Sequence, residues 1–218
     1  MKTIEKRMIN LEKLIFKKEQ LLTNEECDFL IDTYNSHKSK TYLEQCANAF
    51  TGLEQTSSFL AQTLEEDSEA CNLVHEKVKQ MINLFHDYMD SFKMFHVHRR
   101  LTLLYPHKYR LLKYEEGSQI HPHVDHNLGV YGSCTINLND NYEGGDFGFW
   151  GNNVRVKLKK GEALIFPADY YWVHEVNKIE KGVRYSTNCF LQNFKGEYSE
   201  KLNYYGEINE SNINRNSY

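Results

Sequence analysis

An α+β fold, with a β-sandwich or jelly roll of short strands backed by N-terminal helices, is what this sequence predicts, and three observations predict it. Apolar residues recur at helical spacing through the first hundred positions. From about residue 101 the period changes to two, and glycine-rich turns then cut the second half into short segments. The 218 residues suit a single domain in three stretches: 1–100 as mainly helical support, 101–194 as the β-rich core and 195–218 as a polar, Asn-rich tail.

The helical part begins after a short apolar run, Leu14-Ile15-Phe16, which reads as an edge strand. Thr23 followed by Glu26 has the spacing of a capping box, and Cys27, Leu30, Ile31 and Tyr34 fall on one face of the helix it would start. Residues 36–63 are rich in Ser, Thr, Asn and Gln and read as an irregular connection with one short helix at most. From Asp67 to about Phe92, Val74, Val78, Met81, Ile82, Phe85, Met89 and Phe92 form the apolar stripe of a long helix, with His75 and His86 assigned to its flanks. Phe95-His96-Val97-His98-Arg99-Arg100 reads as a solvated basic edge, because no carboxylate follows at metal-ligand spacing.

Eight strands are expected in the second half: Tyr109–Tyr114, Gln119–His126, Val130–Asn139, Asp146–Trp150, Val154–Lys159, Glu162–Phe166, Tyr171–Val176 and Arg184–Gln192. Gly117, Gly144-Gly145, Gly151-Asn152-Asn153, Gly161 and Gly182 mark the turns. Antiparallel strands of this number and length close into a double sheet able to hold a ligand between its layers.

Composition narrows the function. A formal net charge of −4 offers no general attraction for nucleic acid or an anionic membrane, so neither partner is expected. The opening MKTIEKRMINLEKLIF alternates charged and apolar residues and has neither a signal peptide's apolar centre nor a membrane span's length, which predicts a soluble cytoplasmic protein. The five cysteines (Cys27, Cys46, Cys71, Cys134, Cys189) are scattered with no Cys-x-x-Cys pair, and read as free thiols in a reducing compartment.

The chemistry lies in YEEGSQIHPHVD, Tyr114 to Asp125, taken with Trp172-Val173-His174 and Gly182-Val183-Arg184-Tyr185-Ser186. On an extended segment His123 and Asp125 point to the same face, where an imidazole and a carboxylate can share a metal with a distal His174. Two histidines and one carboxylate leave open positions opposite, the arrangement of non-heme Fe(II) oxygenases. A His-x-His pair of His121 and His123 would be an alternative, but the glutamate such a site wants soon afterwards is missing: positions 126–128 hold His126, Asn127 and Leu128. His121 and His126 are therefore assigned to the mouth of the cavity.

The ordered set Tyr114, Gly117, His123, Asp125, His174 and Arg184, with YEGGDFGFW, KLKKGEALIFP and HEVNKIEKGVRYS, resembles the 2-oxoglutarate- and Fe(II)-dependent dioxygenases of the prolyl 4-hydroxylase type. The resemblance implies a double-stranded β-helix. It also implies His123, Asp125 and His174 as iron ligands, Arg184 as the anchor of the distal carboxylate of 2-oxoglutarate, and Tyr114 as a further donor to that carboxylate; Ser186, two residues after Arg184 and on the same strand face, is placed to donate another hydrogen bond there. Many prolyl hydroxylases carry lysine where Arg184 stands, and Asn137 falls where some relatives place a second tyrosine. Implied too are O2 as oxidant, ascorbate as the reductant that rescues oxidised iron, and hydroxylation of an unactivated C–H bond with release of succinate and CO2. The expected substrate is a prolyl residue of a peptide or protein, with Tyr105, Tyr109, Tyr170 and Tyr171 placed along an aromatic groove and Trp172 beside the iron. A free amino acid or small metabolite is the other substrate class, and a non-catalytic jelly-roll binding module the other kind of protein.

Overall fold

The structure, a computed structural model, describes residues 10–47, 54–92, 103, 105–125 and 130–192. The elements run β1 (Phe16–Lys18), α1 (Asn24–Ser36), β2 (Tyr42–Ala47), β3 (Glu54–Thr63), α2 (Glu69–Asp90), β4 (Tyr105–Tyr114), β5 (Ile120–His123), β6 (Val130–Asn137), β7 (Glu143–Gly144), β8 (Phe147–Phe149), β9 (Val154–Val156), β10 (Ala163–Pro167), β11 (His174–Val176), β12 (Ile179–Lys181) and β13 (Arg184–Gln192). Seven strands form the major sheet in the order β1-β10-β6-β13-β4-β3-β2, and four form the minor sheet in the order β5-β11-β8-β9. β12 and β7 make a separate two-stranded ladder. All pairings are antiparallel, and the two facing sheets give the jelly-roll core that the strand pattern and glycine turns predict.

Both helices form where the sequence places them. Thr23 Oγ1 accepts from the Glu26 amide and the Glu26 carboxylate accepts from the Thr23 amide, satisfying two donors that the start of α1 would otherwise leave unpaired. Ser68 caps α2 through the Cys71 amide. The α2 stripe of Val74, Val78, Met81, Ile82, Phe85 and Met89 packs with Cys27, Leu30 and Tyr34 of α1 against one face of the major sheet. There it meets Tyr109, Leu111, Cys134, Ile136, Ile165, Cys189 and Leu191, the inward residues of alternating strands. Among the described residues no helix is long and apolar enough to cross a membrane.

The other face of the major sheet looks into the sandwich. Phe59, Ala61, Leu112, Tyr114, Leu164 and Phe166 meet Phe147, Phe149, Trp172 and Val176 from across it. Period-two alternation thus divides each central strand: Tyr109, Leu111, Cys189 and Leu191 support the helices, while Arg110, Leu112, Tyr114, Arg184, Ser186 and Asn188 belong to the interior. The glycine pair at the β7 turn is sterically required. A Cβ on Gly144 would stand 2.2 Å from the Lys178 carbonyl, and one on Gly145 would stand 2.6 Å from Ile179 Cδ1 and 3.2 Å from Arg184 Cδ.

Several expectations need correction. Residues 36–63 are no irregular connection: a short 3-10 turn at Lys38–Lys40 leads into the β2–β3 hairpin, which extends the major sheet by two strands. Pairing to β4 supplies the order that local periodicity does not show. His75 and His86 are buried rather than flanking, with His75 Nδ1 2.8 Å from the Tyr109 hydroxyl. That contact also places Tyr109 in the helix-facing core and removes it from any substrate groove. The ladder of β7 and β12 was not foreseen, and β5, β8, β9 and β11 are shorter than expected. Cys27, Cys71, Cys134 and Cys189 are buried, and among the described residues none of them is in a disulfide. The segment from Phe95 to Arg100, His126 and the 195–218 tail lie outside the described residues.

Candidate metal and co-substrate site

The site is assembled by one strand pairing. β5 runs antiparallel to β11 with His123 opposite His174, so two residues far apart in sequence face each other across the ladder, ring centroids 4.3 Å apart. Asp125 follows two residues after His123, just past the end of β5. One ligand atom from each of His123, Asp125 and His174 lies within 4.8 Å of the others. His123 Nε2 is 3.3 Å from Asp125 Oδ1, and His174 Nε2 is 3.4 Å from Asp125 Oδ2.

Main-chain acceptors fix both rings. His123 Nδ1 donates to the His121 carbonyl at 2.8 Å, and His174 Nδ1 donates to the Trp172 carbonyl at 2.9 Å. With the protons committed to Nδ1, each Nε2 is directed at the carboxylate. Phe149 and Phe166 wall His174, the latter 4.8 Å away and nearly edge-on.

Burial disfavours charge on His123, but its hydrogen bond to Asp125 and that residue's charge outweigh it and raise the imidazole pKa. Burial likewise works against the Asp125 carboxylate, yet the charge of His174 and hydrogen bonds from both histidines hold it well below the ordinary carboxylate range. Two imidazoles and an ionised carboxylate converging on one point are a donor set that fits a divalent first-row cation. A metal there takes the place of the Nε2 protons. His121 contributes its carbonyl and is not part of the converging group.

The interior face of the major sheet carries a buried guanidinium. Arg184 begins β13 opposite Tyr114 of β4, with its guanidinium 4.9 Å above the Tyr114 ring and 5.4 Å from that of Phe147. It is almost wholly buried, at 1% exposure. Arg184 Nε donates to Asn137 Oδ1 at 2.9 Å, while the enclosed Nη1 has no hydrogen-bond partner. Ser186, two residues along and on the same face, has an equally enclosed and unpartnered Oγ. Burial pushes the Tyr114 phenol up to about 12, against the opposing charge of Arg184, so it remains a hydrogen-bond donor. A buried guanidinium with an uncommitted N–H, beside a free hydroxyl, costs several kcal/mol unless an anion joins it. The distal carboxylate of a dicarboxylic acid fits that set of donors.

Of the predicted site residues, His123, Asp125 and His174 converge on a single point, and Tyr114, Arg184 and Ser186 lie together on the interior face of β4 and β13. Trp172 is buried against Trp150 at 5.2 Å and serves His174 through its carbonyl. Tyr170 and Tyr171 stand well out in solvent. Sequence reasoning left the role of Asn137 open and did not single out Tyr142. Asn137 is fully buried and also donates to the Leu158 carbonyl at 3.1 Å and to the Tyr142 hydroxyl at 3.0 Å. A polar residue on an interior-facing strand position was the available signal.

Residues 109–192, which hold every residue of the candidate site, match the family model of the 2OG-Fe(II) oxygenase superfamily. The chain resembles 2-oxoglutarate- and Fe(II)-dependent dioxygenases of the prolyl 4-hydroxylase type, and its fold is shared with solved prolyl hydroxylases.

A viral collagen prolyl hydroxylase from Paramecium bursaria Chlorella virus-1, solved with 2-oxoglutarate, superposes with a TM-score of 0.57 at 14% identity over 82% of this chain and 95% of that one. A Trichoplax adhaerens prolyl hydroxylase, solved with a peptide of the hypoxia-inducible factor oxygen degradation domain, gives 0.61 at 15% identity over 83% and 84%. A Pseudomonas putida prolyl-4-hydroxylase gives 0.58 at 13% identity over 82% and 92%. No curated protein sequence matches the chain.

Proposed function

We propose that this protein is an Fe(II)- and 2-oxoglutarate-dependent dioxygenase that hydroxylates an unactivated C–H bond, on a prolyl residue of a peptide or protein, with release of succinate and CO2. The observation that carries this is a juxtaposition. Three convergent donors, His123, Asp125 and His174, stand in the minor sheet, and Arg184, whose Nη1 is unpartnered like the nearby Ser186 Oγ, reaches from the facing sheet to the Phe147 ring of β8, the strand beside His174. A metal site alone fits many functions; a metal site beside a buried cationic fork fits a chelating dicarboxylate.

In this reading His123, Asp125 and His174 hold iron, and Arg184, Ser186 and Tyr114 hold the far carboxylate of 2-oxoglutarate. Bound iron supplies activation of O2 at the expense of the oxo acid, the redox chemistry that the side chains cannot perform. The chain orients that chemistry. Carbonyls of His121 and Trp172 set the imidazoles, and Asn137 sets the plane of the guanidinium. Phe147, Phe149 and Phe166 keep the interior apolar, which limits water near the reacting atoms. The prolyl assignment draws on the shared fold of the three prolyl hydroxylases, two of which act within peptide or collagen contexts by name.

The test is turnover. Iron-loaded protein with ascorbate, O2 and 2-oxoglutarate should release succinate with members of a proline-containing peptide library, each product heavier by one oxygen in mass spectrometry. Oxygen gain only on free amino acids or metabolites would move the substrate class. No succinate with any substrate, together with no binding of Fe(II) or 2-oxoglutarate, would refute the enzyme.

A further inference from the structure

Beyond Arg184 the interior face of the major sheet carries a second charged group that the proposed chemistry does not use. Arg110 of β4 is directly opposite Asn188 of β13, on the same interior face as Tyr114, Arg184 and Ser186. It stands four positions before Tyr114, about 13 Å along the strand. Its Nε donates to Asn188 Oδ1 at 3.1 Å, its guanidinium lies 4.8 Å over the Phe190 ring, and its Nη1 is 2.9 Å from the carboxylate of Glu44. Glu44 belongs to β2, two strands away, and β2 and β3 lie against β5, the strand that carries His123. The pair therefore lies on strands packed against the metal-binding strand, level with Thr63, which pairs with Arg110 and whose Oγ1 is 3.1 Å from the Tyr42 hydroxyl.

The two partners are unequal. The Arg110 side chain is 7% exposed and is held on three sides by Asn188, Phe190 and Glu44, whereas the Glu44 side chain keeps 25% of its surface open. An arginine so enclosed is a positioning residue. It holds the Glu44 carboxylate at a fixed place, with Oε2 enclosed against the guanidinium and the rest of the side chain part-open. A carboxylate held in this way is complementary to a cation rather than to a neutral peptide group.

We propose that Glu44, set by Arg110, is a specificity residue for a substrate bearing an ammonium or guanidinium group close to the C–H that is oxidised. The cation is a lysyl or arginyl side chain beside the target residue, or the α-amino group of the target itself. This inference rests on the dioxygenase reading for its placement, and binding tests it apart from turnover.

The probes are fluorescent, amidated proline peptides with lysine, norleucine or glutamate beside the proline, and the same norleucine peptide with a free or acetylated terminal proline. Their affinities for the full chain, wild type and Glu44→Gln, are read by anisotropy. Wild type is expected to bind a cationic member about tenfold more tightly than its neutral counterpart, with glutamate weakest, and Glu44→Gln to remove that preference. Preference for lysine assigns the side chain, and preference for the free terminus assigns the α-amino group.

A second readout needs no variant: the wild-type preference should shrink as salt rises. Equal binding of cationic and neutral peptides by wild type, or a preference that Glu44→Gln leaves intact, overturns the proposal. The two readings fail separately. A chain that binds neither Fe(II) nor 2-oxoglutarate sinks the dioxygenase, whatever the peptides do.

Discussion

Arg184 Nε donates to Asn137 Oδ1 at 2.9 Å, and both residues are buried. Asn137 is itself held by the Leu158 carbonyl and the Tyr142 hydroxyl, so the guanidinium is aimed by a chain of hydrogen bonds anchored in backbone. Removing one hydrogen bond to a charged group costs about 1.5–3 kcal/mol. Asn137→Ala is therefore expected to weaken 2-oxoglutarate binding by roughly 10- to 100-fold, mostly in KM with a smaller change in kcat. Calorimetric titration and steady-state succinate release check it, and unchanged affinity would remove Asn137 from the site.

Arg184→Lys is expected to be a poor replacement although lysine serves in many prolyl hydroxylases. The planar fork is what Asn137 and the Tyr114 and Phe147 rings hold, and an ammonium makes neither contact in the same way. Affinity for 2-oxoglutarate should fall at least tenfold with metal binding retained, measured by titration of metal-loaded protein.

Proton and metal compete for the same Nε2 atoms. Because the His123 pKa is raised, its proton persists to higher pH than in an ordinary histidine, and metal affinity should decline as pH falls through that raised value. Asp125 stays ionised throughout, since its pKa lies well below the usual range. Metal-free stability should move the other way. A raised histidine pKa contributes stability that is complete below the unfolded value of 6.5 and is lost as pH rises through the folded one. Thermal melts with chelator and with metal, at several pH values, should diverge as pH increases.

Thr23→Ala tests the supporting layer. It deletes one arm of the capping box that starts α1 and should cost about 1 kcal/mol, seen as a lower melting temperature. 2-Oxoglutarate affinity should not change, because α1 packs on the face of the major sheet away from the cavity.

What was legible in the sequence had a local cause. The Thr23 cap, the α2 stripe and the span Arg184–Gln192 follow from spacing alone, and the structure reproduces them. The convergence of His123, Asp125 and His174 was legible through ordered motifs, although their meeting depends on a β5–β11 register that no local pattern states.

The β2–β3 hairpin was not legible, because an edge extension of polar residues has weak alternation and takes its order from pairing with β4. His75 looked like a flank residue for want of its partner, the Tyr109 hydroxyl, 34 positions away. The Glu44–Arg110 pair was hidden for the same reason: its halves lie 66 residues apart and meet only across the finished sheet.

The most direct test is an anaerobic titration of Fe(II) into the protein with and without 2-oxoglutarate, repeated with Asp125→Ala, His174→Ala and His121→Ala. The expected result is one iron per chain, bound more tightly when 2-oxoglutarate is present, with loss in the first two variants and retention in the third. Iron held as well by Asp125→Ala as by wild type, or lost in His121→Ala with Asp125 dispensable, would contradict the centre assigned to His123, Asp125 and His174.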